Sequence, residues 1–314
     1  MANVLKLVVP DLISNSYFPA LAAAELGFFK AEGLDVALDL LFPVDKAYAA
    51  LRDGAVDFVA GSAHSALAAF PAFAGVKLVC ALSQGMYWFL VMHADLPARR
   101  GDLSVVKGRS IGAAPWVDLG LRGVLRAAGI DLERDGVTIG PIAGATGASG
   151  AGINFGLAAA RALEERKIDG FWANGMGAEV AQRRGVGKIV LDVRRGDGPE
   201  PCFNFTAATL AATDRMIERA SEEVAAAVRA IVTTQAALKA DVGLAAAVGK
   251  RLFPPPEAEL IAALVRRDLP YYDATLSREF VAGMTEFARS QGVLDRDLGY
   301  EQVVAAQFAR LWQG

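Results

Sequence analysis

Residues 17–61 constrain the fold most strongly, because helical and strand patterns alternate there with very short connections. An apolar helix is followed by a turn at Gly33 and a strand through Val36. A second helix ends at Gly54, and a further strand includes Phe58. This order predicts an α/β protein, in which a mostly parallel sheet is covered by helices.

The length and composition indicate two densely packed lobes. A chain of 314 residues is long for one core, so we expect two. Apolar residues make up 54% of the sequence and charged residues 21%, which excludes intrinsic disorder. A net charge of −3 provides no basic field, so we expect neither nucleic acid nor an anionic membrane surface as a partner.

The sequence contains few side chains that could build a metal or cofactor site. Two cysteines, Cys80 and Cys202, are too few for a disulfide framework or a cysteine metal centre. One bridge between them is an alternative, and two buried free thiols are the prediction. Only His64 and His93 could supply imidazole. We therefore predict no metal, no cofactor and no catalytic group.

The beginning of the chain gives an open prediction of the compartment. Met1 is followed almost at once by a strand over Val4–Val9, without the basic and apolar regions of a signal peptide. No apolar run reaches membrane-spanning length without charge or proline, so we expect no stable insertion into a membrane. The chain is therefore cytoplasmic if Met1 is the native start, or periplasmic if a leader has been removed.

The second half of the sequence repeats the pattern of the first. Ala50, Leu51, Val56 and Asp57 recur at one constant offset as Ala162, Leu163, Ile168 and Asp169. Each copy reads as a helix end, a polar turn and a buried strand. Similar architecture in both lobes would produce this weak echo, and so would coincidence. Between them, residues 143–152 form a glycine-rich stretch that lacks the Lys-Ser/Thr of a P-loop, and we predict a flexible loop. Cys202–Thr206 is predicted to be extended.

One run of residues resembles a signature of type II periplasmic binding proteins, in the branch that serves alkanesulfonate, nitrate and thiamine-pyrimidine uptake. The residues that carry the resemblance are Leu26, Gly27, Phe28, Phe29, Glu32, Gly33, Leu34, Asp35 and Val36. The match continues through Gly54 and Asp57 and extends over almost the whole chain. These are scaffold motifs, which specify the fold well and the ligand hardly at all.

The resemblance implies a two-lobed type II periplasmic-binding-protein fold. The first lobe would comprise residues 1–90 and 203–314, and the second residues 91–202, with helices dominating the C-terminal region. The lobes would close on a small-molecule ligand in the cleft between them. An ABC permease is the implied partner, and a monomer is the implied state.

The same resemblance implies which loops touch the ligand. Those loops contain aromatic side chains that could stack on a flat molecule, namely Tyr17, Tyr87, Trp88, Trp116 and Trp172. They also contain polar side chains that could orient it, namely Asp11, Asn15, Ser62, His64, Ser65, Gln84 and Asn174. Because no Arg or Lys falls within these loops, we favour a planar, neutral or weakly charged heteroaromatic ligand over a strong anion. An alternative is that Trp88 or Trp116 belongs to the core.

A rival class is an enzyme on the same scaffold. The fungal pyrimidine synthase of thiamine biosynthesis resembles this chain in fold and draws on a histidine at the position of His64. Its cofactor lysine would fall at Ala60, and its cysteine cluster has no counterpart here. A lyase or decarboxylase also remains open, although no catalytic triad or carboxylate pair stands out. A ligand-sensing module of a regulator is a third alternative, without a DNA-binding segment.

Overall fold

The computed structural model describes residues 4–143 and 154–313. The predicted glycine-rich loop therefore lies, apart from its first residue, outside the described part of the chain.

The described residues form ten strands and twelve α-helices. The strands are β1 (Leu5–Val9), β2 (Val36–Leu40), β3 (Phe58–Ser62), β4 (Val76–Ser83), β5 (Phe89–His93), β6 (Ser110–Ala113), β7 (Thr138–Gly140), β8 (Gly170–Ala173), β9 (Gly187–Asp192) and β10 (Ala208–Thr213). The helices are α1 (Phe18–Glu25), α2 (Phe28–Ala31), α3 (Val44–Arg52), α4 (Asp118–Ala127), α5 (Phe155–Glu164), α6 (Gly175–Arg183), α7 (Asp214–Arg219), α8 (Ser221–Ala240), α9 (Gly243–Leu252), α10 (Pro255–Asp268), α11 (Arg278–Ser290) and α12 (Tyr300–Val303).

The chain divides into two compact units. The first unit comprises Met1–Gln84 and Thr206–Gly314, and the second comprises Gly85–Phe205. Each unit contains one five-stranded sheet flanked by helices, which confirms the predicted α/β fold class.

The sheet of the first unit has the strand order β2-β1-β3-β10-β4. Strand β1 pairs in parallel with β2 and β3, whereas β10 pairs antiparallel with β3 and β4. Strands β1 to β4 therefore run in one direction and end at one edge, which we call the carboxyl edge of the first sheet. The long helix α8 packs against α1, α2 and β4, and contributes a buried face that includes Val224, Val228 and Ile231.

The sheet of the second unit repeats this arrangement with the order β7-β6-β8-β5-β9. Strand β6 pairs in parallel with β7 and β8, and β5 pairs antiparallel with β8 and β9. Strands β6 to β9 thus end at the carboxyl edge of the second sheet, and β5 begins there. In both sheets the single reversed strand occupies the fourth of the five positions in the strand order.

The aspartates of the predicted internal repeat, Asp57 and Asp169, make the same hydrogen bond in the two units. Asp57 precedes β3, and its carboxylate accepts a hydrogen bond from the N–H of Lys6 in β1 at 2.8 Å. Asp169 precedes β8 in the same way and accepts from the N–H of Ser110 in β6 at 2.9 Å. Each aspartate fixes the start of its strand against the parallel neighbour, so these residues are structural.

One predicted element is wrong. Cys202–Thr206 was expected to be extended, but Glu200–Phe205 forms a 3-10 helix, and the strand begins only at Ala208. Strand β10 has the sequence ATLAAT, which is fully buried except for its last residue. Its alanines lack the β-branched and aromatic side chains that usually mark a strand, so the sequence pattern gave no signal.

Among the described residues, no single helix is long and apolar enough to cross a membrane. Only α8 and α9 taken together, which are bent by 115° at their junction, would satisfy that length and composition.

Candidate functional site

Seven of the predicted site residues lie in segments at the carboxyl edge of the first sheet. In open α/β sheets, ligands bind beyond the carboxyl ends of the strands, where loops and helix N-termini offer polar groups. These residues lie at the end of β3 or in the segments that follow β1, β3 and β4, and they are Asp11, Asn15, Tyr17, Ser62, His64, Ser65 and Gln84.

The loop after β1 is held by its own polar groups. The carboxylate of Asp11 accepts a hydrogen bond from the N–H of Ile13 at 3.1 Å. Tyr17 is 4% exposed. Its backbone carbonyl accepts a hydrogen bond from the N–H of Ala20 at 3.0 Å, in the first turn of α1. Asn15 is fully buried, and its side-chain N–H donates to the carboxylate of Asp268 at the end of α10.

Ser62, the last residue of β3, forms a side-chain hydrogen bond with Ser65. The hydroxyl of Ser62 lies 2.6 Å from that of Ser65 and forms no capping bond to the helix that follows. Both side chains are fully buried, and the carbonyl of Ser62 accepts a hydrogen bond from the Tyr48 hydroxyl at 3.1 Å. The pair lies at the start of a 3-10 helix over Ala63–Ala68.

His64 is fully buried within the first unit. Its Nδ1 lies 3.0 Å from the hydroxyl of Thr206, and its ring packs edge-to-face on Phe287 with centroids 5.4 Å apart. Both contacts restrain the imidazole.

Gln84 ties the end of β4 to the segment before α11. Its side-chain amide donates to the carbonyls of Asp273 at 2.9 Å and Thr275 at 2.6 Å. These bonds use both N–H donors of the amide. The role of Gln84 in ligand binding stays a prediction.

The carboxyl edge of the second sheet collects aromatic rings. Tyr87 and Trp88 precede β5, and their ring centroids lie 4.7 Å apart. Trp172, at the end of β8, lies 6.2 Å from Trp88 and is fully buried. Its indole N–H donates to the carbonyl of Val117 at 3.1 Å. The structure thus brings three of the five predicted aromatic residues together.

Trp116 follows β6 at the same edge and has an unusual backbone. Its φ is +68°, in the left-handed region, and its side chain is only partly buried. This conformation costs an L-residue about 1–2 kcal/mol. Strained residues cluster at functional sites, so this feature marks the loop as a candidate binding segment.

Asn174 begins α6. Its side-chain oxygen accepts hydrogen bonds from the N–H groups of Met176 at 3.0 Å and Gly177 at 3.1 Å. This is an N-cap, the structural role that asparagine commonly has at a helix start.

A basic residue that the sequence reasoning missed lies beside the aromatic rings. The guanidinium of Arg194, which follows β9, lies 5.4 Å from the centroid of the Tyr87 ring, and the residue is 5% exposed. Such a position permits a cation–π interaction. The predicted ligand loops do lack Arg and Lys, but the segment after β9 supplies an arginine. Its position directly after a strand was the available signal.

The cysteines are free and buried. Burial raises the pKa of the Cys202 thiol to about 12 and raises that of Cys80 as well. Neither thiol is therefore a ready nucleophile. Within residues 4–143 and 154–313, no three His, Cys, Asp or Glu side chains are grouped so that they could hold a metal ion.

Comparison with known proteins identifies the family. The NMT1/THI5 like family model matches residues 14–241, so the chain belongs to the NMT1/THI5-like family, which confirms the predicted branch. A comparison with curated proteins finds no match.

Three solved structures illustrate the shared fold. A putative sulfonate ABC transporter protein, the periplasmic sulfonate-binding protein SsuA from Methylobacillus flagellatus KT, is 15% identical with a TM-score of 0.69, covering 98% of this chain and 93% of that one. The periplasmic nitrate-binding protein NrtA from Synechocystis PCC 6803 is 11% identical with a TM-score of 0.71, covering 98% and 88%. The desulfurization enzyme DszB is 16% identical with a TM-score of 0.63, covering 98% of both chains.

Proposed function

We propose that this chain is a solute-binding protein, which captures a small planar, heteroaromatic molecule and delivers it to an ABC importer. In this proposal the two units close on the ligand by a hinge motion, and the protein acts as a monomer outside the cytoplasm. Membership of the NMT1/THI5-like family supports it, together with the likeness to SsuA and NrtA.

The observation that carries the proposal is the cluster of aromatic residues at the carboxyl edge of the second sheet, where Trp116 is only partly buried. The ring centroids of Tyr87 and Trp88 lie 4.7 Å apart there with an interplanar angle of 45°, and Trp116 follows β6 with a strained backbone. Aromatic pairs contribute about 0.5–1.5 kcal/mol beyond the burial of their area. A planar ring would gain such contacts, whereas a nitrate or an alkyl chain would gain fewer.

The test is the substitution Trp116→Ala. Because the Trp116 side chain is only partly buried, its removal should leave the thermal unfolding temperature almost unchanged. We expect the affinity for planar heteroaromatic ligands to fall several-fold to about tenfold, in line with the loss of one stacking contact. Isothermal titration calorimetry of a heteroaromatic fragment panel measures this. Unchanged affinities beside an intact fold would contradict the proposal.

An enzyme on this scaffold is the second candidate, favoured by the likeness to DszB and by a buried histidine at a carboxyl edge. The contacts of His64 favour a structural role, because its ring is hydrogen-bonded to Thr206 and packs against Phe287. The buried thiols with raised pKa values also weigh against cysteine chemistry.

We therefore expect the protein to return its bound ligand chemically unchanged. Prolonged incubation followed by chromatography and mass spectrometry tests this directly, with Thr206→Val as a matched control that removes the partner of His64 without removing the imidazole. Product that forms with the unsubstituted protein and disappears in His64→Ala, while binding survives, would establish the enzyme instead.

A further inference from the structure

The amide of Asn15 combines complete burial with an unused hydrogen-bond acceptor. Its Oδ1 is buried and accepts no hydrogen bond from any described residue. Most buried polar side-chain atoms have a partner, and leaving one unpaired is costly. The atom lies in the loop after β1, at the carboxyl edge of the first sheet, where a ligand of this fold class would lie.

The orientation of this amide follows from its neighbours. Nδ2 faces the carboxylate of Asp268, which is 1% exposed and can only accept hydrogen bonds when ionised. The opposite orientation would set two oxygens against each other. The backbone carbonyl of Asn15 also accepts a hydrogen bond from the hydroxyl of Tyr272 at 2.5 Å, so the residue is held from both sides. Nδ2 is consequently the atom that Asp268 holds, and Oδ1 is left as the acceptor of the amide.

We propose that Asn15 Oδ1 accepts a hydrogen bond from the ligand, and that this contact selects planar molecules bearing an N–H donor over those of the same shape without one. This inference rests on the proposed function and specifies its ligand class. Asp268 is a positioning residue, because it acts by fixing the amide. A site built around a hydrogen bond discriminates strongly between two such molecules, because the one without the N–H leaves the buried acceptor unpaired.

A matched pair of probes tests the proposal, namely 2-aminopyridine and 2-methylpyridine, titrated by calorimetry above the pKa of both ring nitrogens. The two molecules have nearly the same shape, but only the first carries an exocyclic donor. We expect the unsubstituted protein to prefer 2-aminopyridine by roughly tenfold, the size expected for one buried hydrogen bond. In Asn15→Leu this preference should disappear, while the affinity for 2-methylpyridine is kept or increased.

The positioning role of Asp268 predicts a different signature. In Asp268→Asn the neighbouring group can donate as well as accept, so the Asn15 amide can adopt either orientation. The preference for 2-aminopyridine should therefore fall to about twofold, with little change for 2-methylpyridine. Glu257→Gln is the matched control, because Glu257 is a buried carboxylate near the other end of α10, and it should retain the full preference.

The outcomes separate the inference from the proposed function. Equal binding of the two pyridines, or a preference that persists in Asn15→Leu, overturns the inference and leaves planar capture intact. A purely structural role for Asp268 would weaken both probes equally and would also overturn the assignment. Failure of both pyridines to bind the unsubstituted protein contradicts planar capture itself and overturns the inference with it.

Discussion

Replacing Gly177 by alanine is expected to destabilise the second unit by about 3 kcal/mol or more, toward the upper end of the range for overpacking. Gly177 lies in the first turn of α6, where this helix crosses α5 at Gly156. A Cβ at position 177 would lie 2.7 Å from the Cα and carbonyl oxygen of Gly156. These are backbone atoms, so no side-chain rotation can relieve the overlap, and the helices must move apart.

Urea unfolding followed by tryptophan fluorescence measures this effect. Three of the four tryptophans, Trp88, Trp116 and Trp172, belong to the second unit, so the signal reports mainly on that unit. Gly140→Ala is the control, because an added Cβ there meets no atom of the described residues within 4 Å. A Gly177→Ala protein as stable as the Gly140→Ala protein would show that the helix crossing is looser than described.

Replacing Trp172 by alanine should cost about 3–5 kcal/mol of folding free energy, as expected for removal of a large buried aromatic side chain. Trp172 is fully buried at the end of β8, packs near Trp88 and donates its indole N–H to the carbonyl of Val117. The substitution leaves a cavity and removes one of the two hydrogen bonds to the carbonyl of Val117, which also accepts from the N–H of Gly120 at 3.1 Å. Thermal and urea unfolding followed by circular dichroism measure the loss.

The matched control is Trp172→Phe, which keeps most of the ring volume and gives up the indole N–H. Its cost should be clearly smaller than that of the alanine variant, with about 0.5–1.5 kcal/mol from the lost hydrogen bond. A Trp172→Ala protein of unchanged stability whose ligand affinity has fallen would contradict the core role and assign the side chain to the ligand alone.

The scaffold could be predicted from the sequence because its determinants are local. The helix and strand periods of residues 17–61, and the repeated aspartates Asp57 and Asp169, correspond to the helices, strands and strand contacts that the structure contains. Strand β10 was not predicted, because alanine has a low propensity for β-strands. Its place in the sheet is decided by long-range pairing with β3 and β4.

The candidate site could be predicted only in part, because side-chain partners come from distant segments. The sequence indicated Asn15 and His64 as site residues. It did not indicate that Asp268 would bind the amide of Asn15 or that Thr206 would lie beside the imidazole of His64. It likewise gave no sign that the guanidinium of Arg194 would lie beside Tyr87. Ligand contacts of the twelve predicted residues stay predictions, and the partners described here show which atoms of those residues are already engaged.

The central claim is tested most directly by mass spectrometry of the small molecule that co-purifies with the protein and is released when the protein is denatured. Capture of a planar ligand predicts one dominant heteroaromatic compound bearing an N–H donor, recovered unchanged after rebinding and release. Recovery of sulfate, nitrate or a short alkanesulfonate, bound equally well by Trp116→Ala, would contradict the account.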